Sequence, residues 1–294
     1  MTADSIFGIP GIVLATLVLL VSFTVSYLAW RRGSLTGPAA LLASVFALGY
    51  YLSGGLRLVS LLLLFFLSST VLTHCREQDK HRIEKDIHEK KGARDSFQVL
   101  ANGGPALLMG TLSWLASTAS AHLQAALLLA AAGALAASNA DTWASELGVL
   151  SRRQPVYILS RRPVQTGLSG GVTRTGTLAA LAGGCFIALA YGVLNLTDFL
   201  TGDPLHILKS LGLKILLITG AGFLGSVIDS VLGETLQALY QHHSHHHLTE
   251  QPHDDGRPNR LKRGWPWLNN DWVNLLSSLL SAALLCGTAL LTLN

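Results

Sequence analysis

Apolar runs of about 20 residues recur along nearly the whole chain, and a helix needs about that length to cross a hydrocarbon core about 30 Å thick. Eight can be delimited: 6–30, 35–53, 56–73, 96–117, 119–140, 172–196, 207–239 and 271–293. Hardly any loop joins the fourth to the fifth. The seventh is too long for one straight span and is expected to break near Gly220–Gly225. Half of the 294 residues are hydrophobic and only 13% are charged, with a mean hydropathy of +0.43. That balance excludes an ordinary soluble domain. The expected fold is an all-α polytopic bundle of about eight transmembrane helices.

Charge orients the spans. Met1–Ser5 carries no Lys or Arg, whereas Arg31 and Arg32 follow the first run. A secretory signal has the reverse order, so the run reads as an anchor with its N-terminus outside. The loops then facing the cytosol are 31–34, 74–95, 141–171 and 240–270, and they hold 17 of the 21 basic residues. Arg57, Lys209 and Lys214 fall on the other side. The bias predicts a multi-pass protein of the cytoplasmic membrane with both termini outside. It also accounts for the net charge of +4 without a nucleic-acid partner. Segment 74–95 mixes seven basic with six acidic residues, as a solvated helix beside anionic headgroups would, or a clamp for a substrate phosphate. Cys75, Cys185 and Cys286 share no metal-like spacing. Residues 1–93 divide from a motif-bearing region, 94–294, within what reads as one continuous domain.

Polar residues gather where spans reach the cytosolic side. The pattern D-[ST]-x-x-x-E occurs twice, as Asp141/Glu146 and Asp229/Glu234, each at the end of an apolar run. An ionised carboxylate in hydrocarbon costs at least about 2.5 kcal/mol, so something must offset it. The echo suggests an internal duplication. Positions five apart are separated by about 140° on a helix, so one Asp–Glu pair does not share a face. Two such helices packed through their small residues could still surround one cavity with carboxylates, a hard-oxygen set suited to Mg²⁺. The alternative is that each carboxylate pairs with an arginine at a helix end.

Three further clusters lie on the same side. Thr166–Thr173 includes Gly167, Ser169, Gly170 and Gly171, after Arg161 and Arg162 and before the sixth span. Glycines before a helix start let backbone N–H groups approach an anion, and guanidinium suits phosphate; a plain loop-to-helix turn would look the same. Arg94, Gln98 and Asn102 open the fourth span, while Asn270 and Asn274 open the last. Residues four apart share a helix face, so these amides either bind a ligand or tie helices together. The tract His242, His243, His245, His246, His247 reads as incidental metal binding and is expected to be dispensable.

Together these pieces resemble the integral-membrane family that includes plant phytyl-phosphate kinase and the animal transmembrane protein 19. The matching stretches are RDSFQVLANGG at 94–104, SNADTWASELG at 138–148, TGLSGGVTRTG at 166–176, GSVIDSVLGETLQ at 225–237 and NNDWVN at 269–274. Two depart from the relatives' usual G-T-N-G-G-V and D-N-N-A-V-N. The resemblance implies a kinase that moves a phosphoryl group from a nucleoside triphosphate, CTP being the one expected, to an isoprenyl monophosphate such as phytyl phosphate. It implies Mg²⁺ on Asp141, Glu146, Asp229 and Glu234 as the catalytic set. Arg94, Gln98, Asn102, Arg161, Arg162, the glycine loop, Asn270 and Asn274 would then bind nucleotide or phosphate. An ion-coupled transporter and a lipid-phosphate nucleotidyltransferase are the rival readings, and a homo-oligomer is left open.

Overall fold

In a computed structural model, which describes residues 11–75, 92–196, 204–243, 247–254 and 256–293, the apolar runs become helices whose starts are written in the sequence. Thr36, Asp95, Ser120, Thr173 and Asn269 each accept a hydrogen bond from a backbone N–H of the turn they precede. Such caps satisfy donors that a helix start leaves orphaned, where hydrocarbon offers no water to do so. At Asp95 the cap is reciprocal, because Gln98 Oε1 accepts from the Asp95 N–H while Asp95 accepts from the Gln98 N–H.

The helices are α1 Gly11–Arg31, α2 Gly37–His74, α3 Ser96–Ala116, α4 Ala121–Gly148, α5 Arg174–Leu194, α6 Pro204–Thr235 and α7 Asn270–Thr292. Each has the length and composition to cross a membrane. The charged stretch 76–91 lies outside the described residues.

Among the described residues, seven helices provide eight apolar segments of spanning length. Straight, the 38 residues of α2 would span about 57 Å, nearly twice a hydrocarbon core. Both ends of α2 instead meet one residue: the Thr36 N–H donates to the Arg94 carbonyl at 3.0 Å, and Arg94 Nη2 donates to Thr73 Oγ1 at 3.1 Å. The chain therefore reverses within α2, at Gly55, whose φ of 65° and ψ of −163° suit glycine alone. Beside the turn, Arg57 donates to Asn195 Oδ1 at 2.7 Å, at the far end of α5. The two halves are the separate runs 35–53 and 56–73 expected from length.

Small residues set the packing. The α4 face from Ala130 to Ala140 is buried without interruption and meets α3, α5, α6 and α7. A Cβ on Gly222 of α6 would lie 2.8 Å from Gly184 Cα of α5 and 3.1 Å from Ala136 Cβ of α4, while one on Gly225 would run into Ala137. Without a hydrophobic drive in lipid, such close backbone approach is what holds helices together. It also corrects the expected break: α6 runs as one 32-residue helix through Gly220–Gly225, and its glycines there permit contact rather than a kink. Fully buried Asn139 adds a polar tie, accepting from Ser68 Oγ at 2.9 Å and donating to the Gly183 carbonyl at 2.8 Å.

At the opposite end from Gly55 the loops form short strands. β1 Val156–Tyr157 pairs with β2 Gly171–Val172. β3 Leu239–Gln241 lies between β4 Leu248–Thr249 and β7 Arg260–Arg263, and β5 His253–Asp254 pairs with β6 Arg257–Pro258. Part of the histidine tract packs this region. His242 is buried, 2.7 Å from Asp254 Oδ2, with its ring between those of His243 and His247 at 4.5 and 4.8 Å; His245 and His246 lie outside the described residues.

The packing predicts that Gly222→Val, which pushes three backbones apart, costs about 1–3 kcal/mol. Gly220→Ala, with nothing within 4 Å of the new methyl, should be neutral. Thermal unfolding of the two variants in one detergent is the measurement; equal midpoints would refute the close-approach account.

Candidate active site

The polar motifs converge because of helix direction. The C-terminal turns of α4 and α6 bring carboxylates to one end of the bundle, and α3, α5 and α7 begin there. Helix starts present unpaired N–H groups and partial positive charge, so acidic side chains and anion-attracting backbone meet in one place. Between them lies a cavity of about 550 Å³ whose lining includes Asp141, Glu146, Asp229, Arg161, the glycine loop and Asn270.

The two D-[ST]-x-x-x-E copies separate their acids. Asp141 accepts from Ser226 Oγ at 3.4 Å, across the α4–α6 contact. Asp229 accepts from Ser277 Oγ of α7 at 3.2 Å and lies within electrostatic reach of Asp141 and of Glu250. The glutamates take other partners, although Glu146 still lines the cavity beside Asp141. Glu146 Oε1 accepts from Thr73 Oγ1 at 2.6 Å, and the same hydroxyl accepts from Arg94. Glu234 receives the Leu159 N–H at 2.7 Å and the Ser160 N–H at 2.9 Å, and it does not line the cavity.

Glu234 thereby pins a tight turn in which the Tyr157 N–H donates to the Arg162 carbonyl at 2.9 Å. In that turn Arg161 adopts φ of 58°, a left-handed conformation unusual for a side-chain-bearing residue. Arg161 lines the cavity; Arg162 is exposed and is not part of the lining.

The glycine loop has a packing reason for its composition. A Cβ on Gly170, at φ of 81°, would lie 2.8 Å from Glu234 Cα, and one on Gly233 would lie 2.7 Å from the Gly170 nitrogen. Loop backbone thus rests directly on α6 backbone. Ser169 fastens it from three sides: its N–H donates to Glu250 Oε1 at 2.8 Å, its Oγ accepts from Gln237 Nε2 at 2.9 Å, and its Oγ reaches Asn270 Oδ1 at 3.4 Å.

Gln237, Glu250 and Asp271 line the cavity and are absent from the sequence-derived site. Gln237 and Asp271 fall inside the quoted motifs, where amide and carboxylate were visible. Glu250 had no local signal, since only the pairing of β3 with β4 carries it to the glycine loop. Gln237 Oε1 is buried with no hydrogen-bond partner, which marks an acceptor facing a site for something else.

A second cavity, about 520 Å³, adjoins the first and is mostly apolar, running between α1, α2 and α3. Arg94, Gln98, Asn102 and Asn274 stand at its polar mouth, and Asn274 Oδ1 is a buried acceptor without a partner. Gln98, Asp141, Ser145, Glu146, Asn270 and Asp271 belong to the walls of both cavities. Desolvation pushes the Arg94 guanidinium below its usual pKa, and the nearby negative Glu146 pulls it back up. It stays charged, as arginines do, and is the cation at this mouth among the described residues.

Among the described residues no three His, Cys, Asp or Glu side chains converge tightly enough to hold a metal ion by themselves. The facing Asp141 and Asp229 fit Mg²⁺ in another way, since Mg²⁺ commonly takes one or two carboxylates, waters and substrate phosphates.

A bundle of eight apolar passes, with carboxylates and helix starts gathered at one end, defines a polytopic integral membrane protein. The chain belongs to the integral membrane protein family DUF92, whose model matches residues 20–282. It is 33% identical over 273 residues to Protein PGR of Arabidopsis thaliana, covering 90% of this chain and 92% of that one. An uncharacterised membrane protein of Methanocaldococcus jannaschii is 30% identical over 180 residues, covering 61% of this chain and 65% of its own length. One from Synechocystis is 32% identical over 148 residues, covering 50% and 42%. No solved structure matches the chain.

The geometry divides the four acids by role. Asp141→Asn and Asp229→Asn should abolish Mg²⁺-dependent ligand binding while keeping the thermal midpoint at or above wild type, because a desolvated charge is removed. Glu146→Gln and Glu234→Gln should lower the midpoint, since each breaks charge-assisted hydrogen bonds worth about 1.5–3 kcal/mol. Calorimetric melting in parallel with nucleotide titration checks the split, and uniform behaviour of all four variants would refute it.

Proposed function

We propose that the protein is a membrane lipid-phosphate kinase that transfers a phosphoryl group from a nucleoside triphosphate, with CTP the first candidate, to an isoprenyl monophosphate such as phytyl phosphate. The observation that carries this reading is the shared wall. A polar chamber and an apolar groove open onto the same carboxylates and amides, which is the shape of a site for a phosphate on a hydrocarbon tail. The residues sort accordingly. Arg94, Gln98, Asn102 and Asn274 at the groove mouth suit the acceptor phosphate. Arg161, the glycine loop and the starts of α5 and α7 suit the nucleotide, with Asn270 between the two.

Phosphoryl transfer asks mainly for positioning and charge neutralisation. An oxygen of the lipid monophosphate attacks the γ-phosphorus of the nucleotide. The bond from that phosphorus to the β–γ bridging oxygen breaks, and the nucleoside diphosphate leaves with the electron pair. The acceptor is an anion already and needs little general-base help. Asp141 and Asp229 would hold Mg²⁺, which when bound neutralises charge on the phosphate oxygens. Arg94 and Arg161 supply positive charge from the two sides, while Glu146 orients Arg94 through Thr73 and Glu234 holds the turn presenting Arg161. In this reading the site faces the cytosolic nucleotide pool, on the side of the membrane that the basic loops prefer.

Purified protein incubated with Mg²⁺, single nucleoside triphosphates and isoprenyl monophosphates should yield isoprenyl diphosphate and nucleoside diphosphate by mass spectrometry. Release of pyrophosphate with a nucleotide-linked lipid would identify a nucleotidyltransferase instead. Gradient-driven flux in proteoliposomes, independent of nucleotide, would identify a transporter.

A further inference from the structure

We infer that the apolar groove takes one long hydrocarbon chain lengthwise and that Leu14 and Leu56 form its floor, so that the protein selects its lipid by chain length. The inference rests on the lipid-phosphate reading and adds to it the tail's path and the residues that limit it. On α1 the groove is faced by Leu14, Val18, Val21 and Val25 together with Ser22 and Ser26, a single stripe at three- and four-residue spacing. From Leu14 to Ser26 that stripe is about 18 Å long, whereas one leaflet of a hydrocarbon core about 30 Å thick reaches only half its depth. A chain entering at the Arg94 mouth therefore passes the midplane before meeting the floor.

The far end lies at the reversal within α2. Leu56 is the first residue after the reversal at Gly55, and it lines the groove. Close by, Tyr51 Oη donates to the Gly11 carbonyl at 3.4 Å, fastening the start of α1 to α2. Partway along the wall, the Phe46 ring would lie 3.1 Å from a Cβ on Gly103 of α3. The mouth is cationic and amide-rich, the shaft is apolar and the bottom is Leu14 and Leu56. One phosphate on one tail is the occupant that satisfies all three regions.

The test is turnover with isoprenyl monophosphates of increasing length, together with labelling by a long-chain isoprenyl phosphate carrying a diazirine at its tail end. Leu14→Ala with Leu56→Ala should move the preferred length upward. Val21→Trp or Leu62→Trp, midway down the groove, should lower turnover of the longest acceptor at least tenfold relative to the shortest. The diazirine should mark peptides containing Leu14 or Leu56, and excess unlabelled long-chain phosphate should prevent it. Turnover whose length preference none of these variants moves would overturn the groove while leaving the kinase standing. Labelling of the floor without turnover of any acceptor would support the groove and refute the kinase. Equal labelling by a phosphate-free diazirine lipid would mean that the groove holds ordinary bilayer lipid, and would overturn the inference.

Discussion

The arrangement depends on how closely α4, α5 and α6 approach one another. In hydrocarbon, apolar side chains gain little by leaving lipid for protein, so helices associate through backbone proximity and the hydrogen bonds that proximity allows. Gly183 and Gly184 on α5, Gly222 and Gly225 on α6, and the alanines of α4 leave nothing in the way. With those backbones in contact, Asp141 of α4 is brought within hydrogen-bonding reach of Ser226 on α6. A larger residue at any of these positions would part the helices and with them the aspartates.

The same contact explains how the chain tolerates carboxylates at the ends of apolar runs. Each of the four has its own compensation, and the compensations differ in kind. Among the described residues, the hydrogen bonds to Asp141 and Asp229 come from the hydroxyls of Ser226 and Ser277, a weak offset for two neighbouring carboxylates. Glu234 takes two backbone N–H groups, and Glu146 is joined through Thr73 to Arg94. Those are the stronger, charge-assisted arrangements, and they hold loops and helix ends. Of the repeated motif, Asp141, Glu146 and Asp229 line the cavity, while Glu234 holds the loop beside it.

The loops between α4 and α5 and between α6 and α7 are joined at the glycine loop. Ser169 is bonded from Gln237 at the end of α6 and by Glu250 beyond the strand pair β3–β4, and it reaches Asn270 at the start of α7. A segment whose sequence suggested either an anion cradle or a plain loop-to-helix turn is a junction held from three directions, with the cavity on its open side. Its glycines answer first to the backbone of α6.

Much was legible in the sequence because bilayer thickness dictates run length and a helix dictates angular spacing. The runs 35–53 and 56–73 foretold the two halves of α2, whereas the 140° between Asp and Glu separated only the second pair, since Glu146 lines the cavity with Asp141 and Glu234 does not. Tertiary structure alone decided the rest. Whether Gly220–Gly225 would kink or pack depended on what lay opposite, and Ala136, Ala137 and Gly184 lie opposite. Glu250 has no pattern around it and reaches the site only through strand pairing. The groove between α1, α2 and α3 could not be read from their apolar runs, because periodicity shows that a helix is apolar but not which of its faces leaves a space.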